Sequence, residues 1–158
     1  VNRALARDTH PNEFATLFYC VIDPASLRLT YCNAGHDPPL VIRRNAPGEP
    51  TPFEILPLDE GGMVVGVLED APYAPTVFQL QRGDLLIAYT DGLTDTMNFR
   101  SEKLGVARVR ASLIELLTTT PDATAEHAIN HLVWEANRFA GLRPKVDDLT
   151  VVSVRIDA

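Results

Sequence analysis

The strongest constraint on the fold is an apolar segment, Leu85–Tyr89, that stops abruptly at acidic residues. Asp91 and Gly92 follow this segment after a single threonine, and Asp95 lies four residues beyond Asp91. A short apolar run between turn signals is typical of a buried strand. A buried strand that ends in Asp-Gly holds a rigid negative charge at a sheet edge, so we expect a metal or phosphate site there.

A second acidic pair, Asp147 and Asp148, comes just before the apolar run Val151–Val154. Asp91 follows its strand, whereas Asp147 precedes its strand. If the two strands are antiparallel neighbours, both carboxylates lie at the same sheet edge. If the strands are parallel, the carboxylates lie about a strand length apart, roughly 17–20 Å. Only the antiparallel arrangement therefore allows a shared site.

The part of the chain before Asp95 has the composition of strands and turns. We expect two hairpins, one around the turn residues Asp23–Ser26 and one around Arg82–Asp84, because proline, glycine and aspartate favour tight turns. The predicted strands are Phe14–Ile22, Arg28–Cys32, Leu40–Arg43, Phe53–Leu56, Val77–Leu80 and Leu85–Tyr89.

After Asp95 the apolar residues recur at spacings of three and four, which predicts two amphipathic helices before a final strand at Leu149–Ile156. We expect the second helix to start at Thr120 as its N-cap, with Pro121 at its first position, and to end at Gly141. Strands followed by helices and one more strand indicate an α+β fold with a mostly antiparallel sheet.

The charge of the chain argues against two classes of partner. The 158 residues carry a formal net charge of -7 and include only two lysines. An acidic surface disfavours binding to nucleic acid or to anionic membranes. No apolar run approaches a membrane span and no signal sequence is present, so we expect a soluble, cytoplasmic protein. We expect Cys20 and Cys32 to be reduced thiols rather than a disulfide.

The acidic residues suit a hard divalent cation. Mg²⁺ and Mn²⁺ prefer oxygen ligands, and a pair of such ions can hold a phosphoryl group and activate water. Asp91 and Asp147 are the candidate ligands, Asp95 is a further ligand at the rim, and Gly92 permits close approach of backbone or substrate. The alternative is that Asp91-Gly92 is only a turn and Asp95 only a cap.

Two other groups of residues are alternative candidate sites. His127, His131 and Glu135 share one face of the second predicted helix and allow a zinc site to be drawn, but they lie opposite its apolar stripe and lack the His-Glu-x-x-His pattern. His36, in a loop flanked by glycine and proline, either ties the loop together or contacts substrate. No serine or cysteine lies in a hydrolase motif.

Four motifs occur in this order along the chain: Phe14–Tyr19, Asn33–Leu40, Gly83–Asp95 and Asp147–Thr150. Together they resemble the PPM (PP2C-like) phosphatases of the SpoIIE/sigma-factor-regulator branch. The resemblance implies a β-sandwich flanked by helices, and Mg²⁺- or Mn²⁺-dependent hydrolysis of phosphoserine or phosphothreonine by a metal-activated water. It also implies a phosphorylated regulatory protein as substrate, such as an anti-sigma-factor antagonist, and allows an upstream sensor domain.

The same resemblance assigns roles by position. Asp91 and Asp147 match metal ligands, and Asp148 matches a variable position next to the ligand, where it orients its neighbour. Asp95 matches an acid that binds an additional, weaker ion, so the complete domain is expected to hold two ions, with a third at Asp95 as a further expectation.

One departure from the family pattern affects the expected activity. The family carries a Gly-Asp-x-x-Asp-like motif near the amino terminus of the domain, and nothing similar precedes Phe14. We therefore expect a single domain, residues 1–158, that is the carboxy-terminal two-thirds of a PPM-type domain, with weak metal binding and little activity alone. The rival is a catalytically inactive regulatory or partner-binding module. Self-association through the truncated edge is also expected.

Overall fold

The computed structural model describes residues 1–8, 10, 12–144 and 147–157. Two compact units make up the chain, the first formed by residues 1–38 and 57–81 and the second by residues 39–56 and 82–158. The elements in chain order are α1 (Asn2–Asp8), β1 (Leu17–Asp23), β2 (Arg28–Ala34), β3 (Leu40–Arg44), β4 (Phe53–Pro57), β5 (Gly61–Gly62), β6 (Thr76–Gln79), β7 (Leu85–Tyr89), α2 (Asp91–Thr94), α3 (Gly105–Thr119), α4 (Ala125–Ala140) and β8 (Val151–Arg155).

The first unit is built around β2. This strand pairs antiparallel with β1 and with β6, and its last two residues pair parallel with β5. The predicted hairpin of β1 and β2 is confirmed. One face of β1 exposes Leu17, Tyr19 and Val21, with 36%, 63% and 53% of their surface accessible. Because successive side chains on a strand alternate between faces, these three form one apolar row.

The two cysteines are free thiols. In the register of β1 with β2, Cys20 lies opposite Tyr31 and Cys32 lies opposite Tyr19. Neighbouring positions along a strand point to opposite faces, so Cys20 and Cys32 lie on different faces of the sheet. Partial burial raises the pKa of the Cys20 thiol above its ordinary value.

The second unit has a sheet with the strand order β4-β3-β7-β8. β7 is antiparallel to both of its neighbours, β3 and β8. Its residues Leu85, Ile87 and Tyr89 are at most 2% exposed and belong to the same core cluster as the helices α3 and α4. The helical residues in this cluster recur at spacings of three and four: Leu113, Leu116 and Leu117 in α3, and Ala128, Leu132 and Ala136 in α4. The α4 residues belong to the apolar stripe that the sequence predicts. The stripe predicted for α3, which includes Ala107 and Ala111, is wrong at these two positions because both alanines are exposed.

The hairpin predicted around Arg82–Asp84 is wrong. β6 pairs with β2, whereas β7 pairs with β3 and β8, so the two flanking strands lie in different sheets. Asp84, which is 1% exposed, accepts hydrogen bonds from Nε and Nη2 of Arg43 at 3.0 and 2.7 Å. These bonds raise the pKa of Arg43 and fix the start of β7 against β3.

The predicted start of the second long helix is also wrong. Thr120 is the C-cap of α3, and α4 begins at Ala125 after the N-cap Thr124. The hydroxyl of Thr124 accepts from the backbone N–H of His127, while the ring of His127 accepts from the N–H of Thr124, both at 3.2 Å. This reciprocal capping satisfies two helix-end donors. The predicted end at Gly141 is confirmed, with φ +63°.

Candidate functional site

The predicted acids come to the same sheet edge because β7 and β8 are antiparallel neighbours. Tyr89, the last residue of β7, pairs with Val151, the first residue of β8. The chain leaves this edge of the sheet at Asp91 and returns to it at Asp147 and Asp148. Both segments line one small cavity of about 90 Å³, which is bordered by Gly92, Asp95 and Asp147.

Thr90 connects the two acidic segments through three hydrogen bonds. Its N–H donates to the carbonyl of Thr150 at 3.1 Å, and its hydroxyl donates to the carbonyl of Asp148 at 3.2 Å. The N–H of Thr150 donates back to the Thr90 hydroxyl at 3.0 Å. The position of Asp91 relative to Asp148 therefore depends on the end of the β7–β8 ladder.

Because Gly92 has no side chain, the backbone of Asp148 packs directly against it. A Cβ atom placed on Gly92 would lie 2.1 Å from the carbonyl oxygen of Asp148 and 2.8 Å from its carbonyl carbon. Both atoms are backbone, so no side-chain rotation relieves the overlap. The requirement for glycine at this position is steric, because Gly92 does not adopt a positive φ.

The short helix α2 orients the first acidic segment. Asp91 is its first residue, and the carbonyl of Asp91 accepts from the N–H of Asp95 at 2.6 Å. The hydroxyl of Thr94 also donates to this carbonyl, at 3.2 Å. Asp91 and Asp95 thus lie one helical turn apart, as their spacing predicts.

The carboxylates of Asp91 and Asp147 are the kind of ligand that a hard divalent cation prefers, but two carboxylates are too few to complete a site. Asp91 and Asp147 are exposed, and within residues 1–8, 10, 12–144 and 147–157 neither forms an ion pair. Asp147 Oδ1 accepts from the N–H of Asp148 at 2.8 Å, which leaves its other oxygen for a ligand. Within those ranges no cluster of three or more His, Cys, Asp or Glu side chains is arranged to hold a metal.

Asp95 differs from the other acids because it has a cationic partner. Its Oδ2 lies 2.7 Å from Nζ of Lys103, and both side chains are about half exposed. The role of Asp95 as a ligand for a weaker ion therefore remains a prediction, since the lysine occupies the same oxygen.

His36 belongs to the first unit, and its loop contacts are clear. The side chain of Asn33, which is 3% exposed, accepts from the N–H of His36 at 2.8 Å and donates to its carbonyl at 2.9 Å. The ring Nδ1 of His36 lies 3.2 Å from the hydroxyl of Thr16. These bonds fit the loop-tying interpretation, whereas a contact with substrate remains a prediction.

The residues considered for a zinc site have other partners. His127 caps α4, His131 Nε2 lies 3.1 Å from the carbonyl of Ser112, and Glu135 pairs with Arg138 at 2.7 Å. His131 is partly buried against α3 rather than solvated. The three side chains therefore have local structural roles.

Thr90 and Thr150, which join the two acidic segments, are not among the site residues that the motifs predict. A threonine stands directly before the first acidic segment, and another follows the second after a single leucine. The sequence signal for these bonds is a threonine beside each acidic segment, because a threonine at the end of one strand can hydrogen-bond to the neighbouring strand.

The sequence comparisons identify related proteins over most of the chain. The family model SpoIIE, Stage II sporulation protein E, matches residues 1–157. Protein IcfG of Synechocystis sp. is 31% identical over 141 residues, which is 89% of this chain and 20% of that protein. Phosphoserine phosphatase RsbU of Bacillus subtilis is 26% identical over 95 residues, which is 60% of this chain and 27% of that protein.

A solved structure gives the fold independently. The SiaA-PP2C domain of Pseudomonas aeruginosa superposes with a TM-score of 0.70 and 21% identity, covering 90% of this chain and 52% of that one. This likeness confirms the predicted α+β, PP2C-like fold. The chain spans about half of that domain structure and about a quarter or less of the two curated relatives. No helix within the described ranges has the length and apolar character needed to cross a membrane.

Proposed function

Because the chain belongs to the SpoIIE family, we propose that it contributes part of the metal site of a protein serine/threonine phosphatase. The observation that supports this most is the antiparallel pairing of β7 with β8, which brings the segments of Asp91 and Asp147 to one sheet edge. The similarity to phosphoserine phosphatase RsbU supports phosphoserine as a substrate.

The proposed roles follow from the donor chemistry. Asp91 and Asp147 would hold Mg²⁺ or Mn²⁺, two ions in the complete domain, and Asp148 would orient its neighbour through the backbone. When bound, such cations activate a water molecule and neutralise charge on the phosphoryl group. The α2 helix holds Asp91 in position, and Gly92 leaves the space that the second acidic segment occupies.

We further propose that the chain is the carboxy-terminal part of a single PPM-type domain. It spans 52% of the SiaA-PP2C structure, and two aspartates are fewer ligands than a two-metal site needs. The remaining acidic ligands would come from residues that precede this sequence in the complete protein. A phosphorylated regulatory protein as substrate, an upstream sensor domain and a cytoplasmic location remain predictions.

The test is the Asp91→Asn variant of the complete protein. We expect Mn²⁺-dependent release of phosphate from a phosphoserine peptide to fall by at least about 100-fold, since a lost metal ligand removes several kcal/mol of stabilisation from the transition state. Asp122→Asn is the matched control, because Asp122 is also an exposed aspartate and lies in the turn before α4. A rate for Asp91→Asn close to that of Asp122→Asn would refute the role of Asp91.

The rival function is an inactive module on the same fold that binds a phosphoprotein without hydrolysing it. The absence of a three-ligand cluster within the described residues favours this rival for the chain by itself. Calorimetric titration of Mn²⁺ into this chain, beside a version extended toward the amino terminus, separates the two. If only the extended version binds Mn²⁺ tightly, the result supports the enzyme. If both versions bind Mn²⁺ weakly, the result supports the inactive module.

A further inference from the structure

The segment after Asp95 folds back toward it in a tight turn. Met97 and Lys103 form an antiparallel bridge, and the N–H of Leu104 donates to the carbonyl of Thr96 at 2.8 Å. The backbone of Lys103 is therefore held close to the residues that immediately follow Asp95.

Side-chain hydrogen bonds fix this turn. Asn98 Oδ1 accepts from the N–H groups of Arg100 and Glu102 at 2.9 and 3.1 Å. Arg143, which lies beyond the end of α4, donates from Nη1 to the carbonyl of Asn98 at 2.7 Å and to the hydroxyl of Ser101 at 3.1 Å. The turn is thus ordered by groups of the chain itself.

The turn presents the ammonium group of Lys103 to the carboxylate of Asp95 at 2.7 Å. Isolated surface ion pairs contribute little, largely because ordering two flexible side chains costs entropy. Here the backbone at both ends is already fixed, by the Met97–Lys103 bridge and by the bond from the Asp95 N–H to the Asp91 carbonyl. The pair therefore forms without any rearrangement of the backbone, although the two half-exposed side chains must still be ordered.

We propose that Lys103 is a resident countercharge for Asp95 and weakens the binding of an additional divalent cation at that carboxylate. An ammonium group and a divalent ion compete for the same oxygen and repel one another at short range. This inference extends the proposed function, because it assigns the tighter cations to Asp91 and Asp147. The chain has 14 lysines and arginines together, and Lys103 is one of only two lysines.

The test is calorimetric titration of Mn²⁺ into the complete protein without a phosphorylated substrate. Lys103→Met keeps the length of the side chain and removes its charge. We expect it to tighten the weakest Mn²⁺ site by about tenfold, the effect of removing a unit charge a few ångströms from a divalent ion in a water-exposed site. Arg100→Met is the matched control, because Arg100 is exposed on the same turn and has no carboxylate partner within the described ranges.

The gain in Mn²⁺ affinity should be small in Arg100→Met. It should be absent when Lys103→Met is combined with Asp95→Asn. The proposal is overturned if Lys103→Met binds Mn²⁺ like the parent, if Arg100→Met gives the same gain, or if the gain persists without the Asp95 carboxylate. These outcomes do not depend on catalysis. Failure of the phosphatase proposal shows instead as unchanged phosphate release by Asp91→Asn.

Discussion

The substitution Gly92→Ala tests the packing that holds the acidic segments together. The added Cβ would lie 2.1 Å from the carbonyl oxygen of Asp148, whereas ordinary contacts begin near 3.4 Å. The backbone at Asp148 must therefore move by about 1.3 Å, the difference between these two distances. Such a shift breaks or stretches the bonds that join Thr90 to Asp148 and Thr150.

The expected loss can be estimated from these bonds. Each hydrogen bond contributes about 1 kcal/mol to the free energy of unfolding, so losing two or three costs about 2–3 kcal/mol. For a protein of this size the melting temperature should fall by roughly 5–10 °C. Thermal unfolding followed by circular dichroism measures this change, and calorimetric titration measures the accompanying loss of Mn²⁺ affinity.

Gly48→Ala is the control for this experiment. No atom lies within 4 Å of a Cβ at Gly48, but its φ is +98°. Alanine there should cost about 1 kcal/mol through backbone strain alone. If Gly92→Ala melts no lower than Gly48→Ala, the close approach at Asp148 does not constrain the site and the reasoning is refuted.

Two further predictions concern the rest of the chain. Asp84→Ala removes the two carboxylate oxygens that accept from Nε and Nη2 of Arg43. The Arg43 side chain is 18% exposed, so the change should lower the free energy of unfolding by about 3 kcal/mol; an unchanged urea midpoint would contradict this. The apolar row on β1 should cause concentration-dependent self-association that Tyr19→Lys reduces, because a charge on an exposed strand face or edge opposes pairing; a parent protein that scatters light as a monodisperse monomer would exclude it.

The periodicity of apolar residues predicted the strands and helices that bury one face in the core. The apolar run of β7 and the three-four spacing of α4 indicated the correct structures, since both patterns reflect burial in the same core. In α3 the spacing indicated the helix but placed Ala107 and Ala111 on its buried face, where the structure has Leu113 and Leu116. Chain order also shows that a shared site requires the two strands to be antiparallel, and the pairing of Tyr89 with Val151 meets this condition. Whether Asp91 and Asp147 bind metal remains a prediction.

Tertiary contacts decided the features that the sequence did not reveal. Glycine and aspartate after Arg82 favour a hairpin, but the buried bond of Asp84 to Arg43 draws β7 to β3 instead. Thr120 and Pro121 resemble a helix start, but the reciprocal bonds of Thr124 with His127 begin α4 later. The pairing of Lys103 with Asp95 depends on a turn of irregular backbone, for which periodicity gives no signal.

The opposed placement of Cys20 and Cys32 on neighbouring strands has a consequence for handling the protein. A bond between their sulfur atoms would need the two strands to slip by one residue, which would invert every side chain of the slipped strand. Oxidation therefore has no route to an internal crosslink in the folded chain. Any disulfide formed in air between these cysteines must join separate molecules, so a reducing agent protects the sample against covalent dimers.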